Sequence, residues 1–389
     1  MTAQDRVLVV GASAAGLSTV EALRRKGYEG GITVLGAEPH APYDRPPLSK
    51  QVLSGAWEPG RSALRTQEAL STLDAEFVLG DAAVALDTGT RTVRARSGRE
   101  LRADAIVIAT GVRPRVLPGQ EGLTGVHVLR TLDDALALRK DLLDSARLVV
   151  VGEGVLGAEI AATARTLGLD VTGVARRRWP CRWARWCRAA GGTARRGAGC
   201  ACGSAPVSQG LAGARAGHRS ASGRARSCRP IPWWSRSATP RRVAGGQRTA
   251  PRQQGGLRFP VPRGGGVYAV GDAAGGHRAT RRLVRLENRT NATEQAAAVA
   301  GVILGEDRPY QPVPYFWTDQ FDAKLQVHGL LPADAEVDVV EGDVTARRFV
   351  ARYRSDGVVT GVLGWNMPKQ ARLRRQEIVD ALNAPTPTH

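Results

Sequence analysis

The chain has 389 residues, 42% of them apolar, and a formal net charge of +19 from 55 basic and 36 acidic residues. That length is enough for two or three domains with buried cores. No window approaches 18 consecutive apolar residues, which excludes a transmembrane helix, and the first apolar run is too short for a signal peptide. The composition predicts a cytoplasmic globular protein that does not bind a membrane.

The positive charge is concentrated in one segment, residues 175–260. This segment contains 19 Arg and no Lys, Asp or Glu, and it holds all five Cys and five of the eight Trp. In the rest of the chain, basic and acidic residues are equal at 36 each. The cysteines lack the paired C-x-x-C spacing of a zinc site, so no metal is expected.

Three interpretations of this segment are open: out-of-frame translation of a GC-rich gene, a disordered natural insert, or a nucleic-acid-binding module. A one-base offset turns GC-rich codons for Val, Ala and Pro into codons for Trp, Arg, Cys and Gly, the residue types enriched here. The composition favours the first interpretation, and we expect no nucleic-acid partner. Because Ile, Leu and Val are sparse, we expect no later strands and no compact domain between 175 and about 263.

A dinucleotide-binding pattern lies near the start of the chain. The apolar run 6–10 precedes Gly11-Ala-Ser13-Ala-Ala15-Gly16, a helical pattern over 17–26 and a second apolar run at 32–35. Glycines let the backbone approach a pyrophosphate, and the helix N-terminus offers free N–H groups. Glu38, the acid nearest to the end of the second strand, is expected to accept a ribose hydroxyl. The alternative is a tight turn that binds no ligand.

A second copy of the pattern begins at residue 147. A strand is predicted over 148–151, a loop with Gly152, Gly154 and Gly157, a helix over 158–168 and a strand over 169–174. The acid expected near 175 is replaced by Ala. Two copies in one chain suggest two nucleotide cofactors.

Three further sequence motifs, two strands and a loop, accompany these dinucleotide-binding patterns. Residues 105–111 form an apolar strand that ends in Thr110-Gly111, and residues 266–272 form another that ends in Gly-Asp272. The proline-rich loop 42–50 ends in the cation Lys50. An Asp after a strand can accept hydrogen bonds from a ribityl chain.

Taken together, these motifs resemble the FAD-dependent NAD(P)H:ferredoxin reductases of bacterial oxygenase and cytochrome P450 systems, the putidaredoxin reductase and rhodocoxin reductase type. The resemblance covers about 5–174 and 264–389. It implies an α/β fold with two Rossmann-like dinucleotide-binding domains and a C-terminal α+β domain. The resemblance implies three domains. Residues 1–113 and 264–311 would form an FAD-binding domain, residues 114–263 an NAD(P)-binding domain that is disrupted after 174, and residues 312–389 a C-terminal reductase domain.

The resemblance also implies a chemistry. Electrons pass from NADH or NADPH, with NADH favoured, through FAD to a [2Fe–2S] ferredoxin that serves a P450 or a Rieske oxygenase. Lys50 and Glu159 correspond to the catalytic ion pair beside the flavin. The implied FAD contacts are Gly11, Ser13, Ala15, Gly16, Glu38, Lys50, Val84, Thr110, Gly111, Arg130, Asp272, Arg289 and Trp317. The implied NAD(P) contacts are Gly152, Gly154 and Gly157.

Plainer alternatives stand beside these roles. Lys50 could be a solvated lysine, Glu159 an ordinary acid at a helix N-terminus, and Trp317 a core aromatic. The family commonly has an acid where Ala37 stands and a small residue where Glu153 stands. For the whole chain, the alternative is a frame-shifted remnant that binds FAD but not NAD(P)H.

Overall fold

The computed structural model describes residues 5–117, 119–120, 122–152, 154–175, 200–204, 266–274, 277–279, 282–284, 286–306, 308 and 310–383. The chain divides into two compact units. The first is drawn from 1–44, 59–113 and 238–316, and the second from 45–58, 114–237 and 317–389. The predicted division into three domains stays a prediction.

The described residues form both helices and strands as far as residue 303, and five strands and one helix after residue 314. In chain order they are β1 (Arg6–Val10), α1 (Ala14–Arg25), β2 (Gly31–Leu35), α2 (Gln51–Ser54), α3 (Gln67–Ser71), β3 (Ala75–Val78), β4 (Ala83–Asp87), β5 (Thr92–Ala95), β6 (Glu100–Arg102), β7 (Ala105–Ile108), α4 (Leu132–Leu143), β8 (Arg147–Val151), α5 (Val155–Thr166), β9 (Asp170–Ala175), β10 (Cys200–Ser204), β11 (Val267–Ala269), β12 (His277–Ala279), β13 (Arg282–Val284), α6 (Arg289–Ile303), β14 (Tyr315–Gln320), β15 (Ala323–Gly329), β16 (Glu336–Asp343), β17 (Arg348–Ser355), β18 (Val358–Trp365) and α7 (Pro368–Asn383).

The first unit is built on a five-stranded parallel sheet in the order β11-β7-β1-β2-β3. Its central strand β1 is apolar along most of its length because both faces of the sheet are covered. Val7 and Val9 pack against α1 and α6 on one face. Leu8 and Val10 pack on the other face against Val93 of the antiparallel β4-β5-β6 sheet.

The second unit contains two sheets. Strands β10-β9-β8 form a parallel sheet, and α4, α5 and the short α2 pack beside it around a shared apolar core that includes Leu53, Leu138 and Ala164. Strands β14-β15-β18-β17-β16 form the C-terminal sheet. Helix α7 buries Ala371 and Ile378 in that part of the unit. The approach is close, because a β-carbon at Gly364 would lie 2.6 Å from Ala371 Cβ.

The α/β class with two Rossmann-like regions and a C-terminal sheet domain is confirmed. Helix α1 begins at Ala14 rather than 17, and α5 at Val155 rather than 158, because residues of the glycine loops already take helical conformations. The strand predicted over 266–272 ends at Ala269, and Asp272 follows in a short 3-10 turn.

The expectation of no strand between 175 and 263 is wrong at one place. Strand β10, Cys-Ala-Cys-Gly-Ser, pairs in parallel with β9, with Cys200 opposite Val171. Strand pairing uses backbone groups, so it does not require an alternation of apolar and polar side chains. The rest of that predicted segment, 176–199 and 205–265, lies outside the described residues. Among the helices that are described, none is long and apolar enough to cross a membrane.

Candidate active site

The first glycine loop packs so tightly that two of its positions exclude any side chain. Gly11 has φ +121°, and a β-carbon there would lie 2.3 Å from the Ala109 carbonyl oxygen. A β-carbon at Gly16 would lie 1.8 Å from the Gly11 carbonyl oxygen. The Gly11 N–H donates to the Leu35 carbonyl at 2.8 Å, which joins the loop to β2. Strand, loop and helix are therefore locked together as a dinucleotide cradle requires.

The N-terminus of α1 suits an anion. Ser13 is the N-cap residue, but its side chain makes no capping hydrogen bond, and the first turn holds no acid. The first backbone N–H groups of a helix have no partner inside the helix, and the dipole is positive at this end. A pyrophosphate is one of the anions that such a helix end binds. Ala15, one residue into the helix, is buried.

Asp272 lies beside this helix end. It belongs to the 3-10 turn Gly271–Ala273 and is partly buried. A β-carbon at Gly271 would lie 3.1 Å from Ala15 Cβ, so the turn and the start of α1 are in contact. The Gly271 N–H donates to Gln295 Oε1 at 2.6 Å, and Gln295 is fully buried. Helix α6 thus holds the turn that carries Asp272.

Glu38 lies three residues beyond the end of β2. It is partly buried and accepts a hydrogen bond from the Tyr43 hydroxyl. Its carbonyl accepts the Gly80 N–H at 2.9 Å, which fixes the turn. The neighbouring Ala37 is exposed. Glu38 thus presents a carboxylate beyond the end of β2, and its contact with a ribose stays a prediction.

The N-terminus of α6 is a second helix N-terminus in the first unit, and it is capped by a side chain. Asn288 caps it, its Oδ1 accepting the Asn291 N–H at 2.8 Å. Arg289 donates from Nε to Asp44 Oδ1 at 2.7 Å. The first turn of α6 contains no acid. Free N–H groups at such an end stabilise negative charge.

The other three predicted positions of the first unit lie on its surface or after a strand. Val84 on β4 is 42% exposed. Thr110, two residues after the end of β7, is exposed, and Gly111 has φ +68°. Their contacts with FAD stay predictions.

In the second unit, Lys50 and Glu159 form a buried ion pair. The distance from Lys50 Nζ to Glu159 Oε2 is 2.9 Å, with the side chains 13% and 7% exposed. Lys50 joins the 3-10 turn Pro46–Ser49 to α2. Lys50 is therefore not a solvated lysine. Glu159 follows the first turn of α5, which contains no acid, so it is not the ordinary N-terminal acid of that helix.

Two further donors bind the Glu159 carboxylate. Ser49 Oγ donates to Oε2 at 2.6 Å, and Thr318 Oγ1 donates to Oε1 at 2.8 Å. A buried carboxylate is costly unless it is paired and hydrogen-bonded, and here three donors serve one group. Neither Ser49 nor Thr318 is among the predicted site residues. Each is next to a predicted one, Ser49 to Lys50 and Thr318 to Trp317.

The second glycine loop has the same form but a more open environment. Gly152 has φ +135°, and a β-carbon there would meet nothing within 4 Å. Gly154 is the N-cap residue of α5. A β-carbon at Gly157 would lie 3.2 Å from the Gly152 carbonyl oxygen, inside ordinary contact distance. The loop can present N–H groups to a pyrophosphate, although it is less tightly packed than the first loop.

Arg130 and Trp317 also belong to the second unit. The Arg130 N–H donates to Asp134 Oδ2 at 2.9 Å, and its carbonyl accepts the Arg45 guanidinium. This places Arg130 at the capping box that begins α4. Trp317 lies in β14 next to Thr318 and is partly exposed, so it is not a fully buried core aromatic.

Comparisons with known proteins show which family the chain belongs to. A family model described as pyridine nucleotide-disulphide oxidoreductase matches residues 5–190, and one described as reductase C-terminal matches residues 315–388. The chlorobenzene dioxygenase ferredoxin reductase component of Cupriavidus sp. (strain PS12) is 34% identical over 385 residues, which cover 93% of this chain and 90% of that protein.

Two other similarities add to this. The benzene 1,2-dioxygenase system ferredoxin–NAD(+) reductase subunit of Pseudomonas putida is 45% identical over 171 residues, 43% of this chain and 41% of that protein. Among solved structures, the covalent putidaredoxin reductase–putidaredoxin complex aligns with a TM-score of 0.78 at 27% identity, covering 98% of this chain and 94% of that chain.

Proposed function

The chain belongs to the ferredoxin reductase family, and from that membership we propose that it passes electrons from NADH through bound FAD to a [2Fe–2S] ferredoxin. One observation carries the proposal: two glycine loops open two helices, α1 and α5, and the second helix also supplies Glu159 to the buried pair with Lys50. Two dinucleotide-binding loops in one chain suit a reductase that brings a nicotinamide and a flavin together.

The first unit offers the groups that FAD requires. The Gly11 loop and the N-terminus of α1 would hold the pyrophosphate, and Glu38 would accept the ribose hydroxyl. Asp272 would accept hydrogen bonds from the ribityl chain, and the N-terminus of α6 at Arg289 would stabilise negative charge on the reduced ring. When bound, FAD supplies the acceptance of a hydride and the release of single electrons.

The second unit offers the groups for the nicotinamide nucleotide. The N–H groups of the Gly152 loop would bind the pyrophosphate of NADH. Lys50, held by Glu159, keeps a buried cation at a fixed position. NADH rather than NADPH is supported by the name of the Pseudomonas putida relative, a ferredoxin–NAD(+) reductase. The arginines at 176–178, which would favour a 2′-phosphate, lie outside the described residues.

The electron acceptor is a [2Fe–2S] ferredoxin that serves an oxygenase of the Rieske or P450 type. The dioxygenase names of the relatives and the complex with putidaredoxin support this choice. Because the match spans 93% of the chain, the reductase is favoured over a remnant without enzymatic activity. Trp317 and the C-terminal sheet would form part of the side from which electrons leave.

The test is anaerobic mixing of the FAD-loaded protein with NADH, followed by the flavin absorbance, and then addition of a [2Fe–2S] ferredoxin. We expect NADH to bleach the flavin and the ferredoxin to become reduced. Lys50→Met should slow bleaching at least tenfold, and Lys140→Met, which changes an exposed lysine on α4, should not. Protein that binds no FAD, or a flavin that NADH leaves oxidised, would overturn the proposal.

A further inference from the structure

The hydrogen bonds of Glu159 come from two separate parts of the second unit. Ser49 and Lys50 are consecutive residues and both bind Oε2, at 2.6 and 2.9 Å. Thr318, in β14, binds Oε1 at 2.8 Å. A carboxylate bound through one oxygen can turn about its last torsion, which is soft in glutamate. Bonds to both oxygens remove that freedom.

The Thr318 hydroxyl is oriented as a donor by its own neighbour. Thr318 is fully buried, and Gln320 Nε2 lies 3.3 Å from its Oγ1. Residues two apart in a strand point to the same face, so Gln320 reaches Thr318 along β14. A hydroxyl has one proton, and a group that accepts from the Gln320 amide is left with that proton for Glu159. The chain of donors therefore runs from Gln320 through Thr318 to Glu159.

Helix α5 also fixes the position of Ser49, the residue before Lys50. Thr163, one turn after Glu159, donates its hydroxyl to the Ser49 carbonyl at 2.7 Å. Ser49 is thus bound to α5 through both its side chain and its backbone. The position of Lys50, the next residue, follows from these bonds. Loss of the Thr318 bond is the change that leaves Glu159 free to turn away from Lys50.

We propose that Thr318 is a positioning residue of this enzyme: its hydroxyl fixes the Glu159 carboxylate, which in turn holds the Lys50 ammonium. The role in hydride transfer rests on the proposed function. The arrangement of the three side chains does not, and it can be tested without NADH. Thr318 lies next to Trp317, so the C-terminal sheet takes part directly in setting the position of the Lys50 cation.

Amine acylation mapped by mass spectrometry tests the arrangement. The chain has five lysines, Lys26, Lys50, Lys140, Lys324 and Lys369. An ion-paired, largely buried side chain reacts slowly, because the reagent must reach its nitrogen. Thr318→Val, which keeps the shape but removes the hydroxyl, should raise the acylation rate of Lys50 about three- to tenfold, a factor within the range that the net free energy of one ordinary hydrogen bond spans. Thr318→Ser should restore the slow rate.

Two controls distinguish a loss of positioning at Lys50 from a general destabilisation of the second unit. Lys324, exposed on the neighbouring β15, should react at the same rate in every variant. Thr360→Val removes another buried threonine hydroxyl of the same sheet and should leave Lys50 unchanged. An unchanged Lys50 rate in Thr318→Val, or an equal rise at Lys324, would show that Thr318 only packs and would overturn the inference.

The kinetic consequence is tested with the FAD-loaded protein. Thr318→Val should slow flavin bleaching by NADH by a factor similar to the rise in Lys50 acylation, and Thr318→Ser should restore it. In a Glu159→Gln background, Thr318→Val should add little, because its effect passes through Glu159. Additive effects would overturn the role. If NADH fails to bleach even the unchanged protein, the proposed function fails, while the acylation result still decides the arrangement.

Discussion

Arg289 and Asp44 join the start of α6 to the loop that follows β2. The Arg289 Nε lies 2.7 Å from Asp44 Oδ1, and the two side chains are 24% and 31% exposed. Partial burial reduces the screening that makes fully exposed pairs weak. The pair therefore holds the N-terminus of α6 at the position where its N–H groups are expected to meet the flavin.

Removal of Asp44 should weaken FAD binding. Asp44→Ala leaves Arg289 without this partner, and we expect about threefold weaker retention of FAD, a loss typical of one partly exposed ion pair. Equilibrium dialysis or flavin fluorescence measures it. Asp322→Ala, which breaks an exposed pair with Arg347 in the second unit, is the matched control and should retain FAD fully. Equal losses in both variants would contradict the role.

Gly11→Ala should abolish FAD binding. The new β-carbon would lie 2.3 Å from the Ala109 carbonyl oxygen, and φ +121° is disfavoured for alanine. Gly27→Ala separates the two causes, because Gly27 has φ +83° but nothing within 4 Å of the added carbon. We expect Gly27→Ala to cost about 1–2 kcal/mol of stability and to keep FAD. The yield of yellow protein and its melting temperature report both outcomes.

Asp272→Ala should reduce FAD affinity by about five- to a hundredfold, because a hydrogen-bonded ribityl hydroxyl would lose its acceptor. Asp272→Asn keeps an acceptor oxygen and should lose less. Backbone bonds of the turn remain in both variants, since Gln295 binds the Gly271 N–H. Titration of the apoprotein with FAD measures the affinities. Unchanged affinity in Asp272→Ala would show that the ribityl chain is held elsewhere.

His328 should make the C-terminal sheet sensitive to acid. This residue of β15 is 4% exposed, and burial, with the positive charge of Arg375 as a smaller cause, lowers its pKa to about 4. The unfolded chain has the ordinary value near 6.5 and therefore binds more protons between the two values. Stability is complete above about pH 6.5 and falls as the pH drops toward 4, by at most about 3 kcal/mol.

Urea unfolding at a series of pH values measures this loss. His328→Leu should flatten the dependence between pH 6.5 and 4. His40→Gln, a change of a partly exposed histidine in the first unit, should leave it as it was. An unchanged slope in His328→Leu would mean that other groups cause the acid sensitivity.

The sequence by itself determined the two dinucleotide-binding units. Each consists of a strand, a glycine loop and a helix within about 20 residues, and its signals are local: apolar runs for buried strands and glycines where the backbone passes close to itself. The positions of Gly11, Gly16 and Gly157 therefore agree with the structure without knowledge of the rest of the fold. The predicted starts of the two helices, 17 and 158, each lie three residues too late, since the preceding loop residues already belong to the helices.

Tertiary structure alone decided which distant side chains meet. Ser49 and Lys50 lie about 110 residues before Glu159 in the sequence, and Thr318 lies 159 residues after it, yet all three contact its carboxylate. Resemblance suggested the Lys50–Glu159 pair, but no local pattern predicts the two hydroxyl donors or the support of Asp272 by Gln295. A buried carboxylate requires hydrogen-bond donors, and the residues that supply them are those that the packing brings near. Strand β10 is a further case, because it pairs with β9 through backbone groups and its sequence does not alternate between apolar and polar residues.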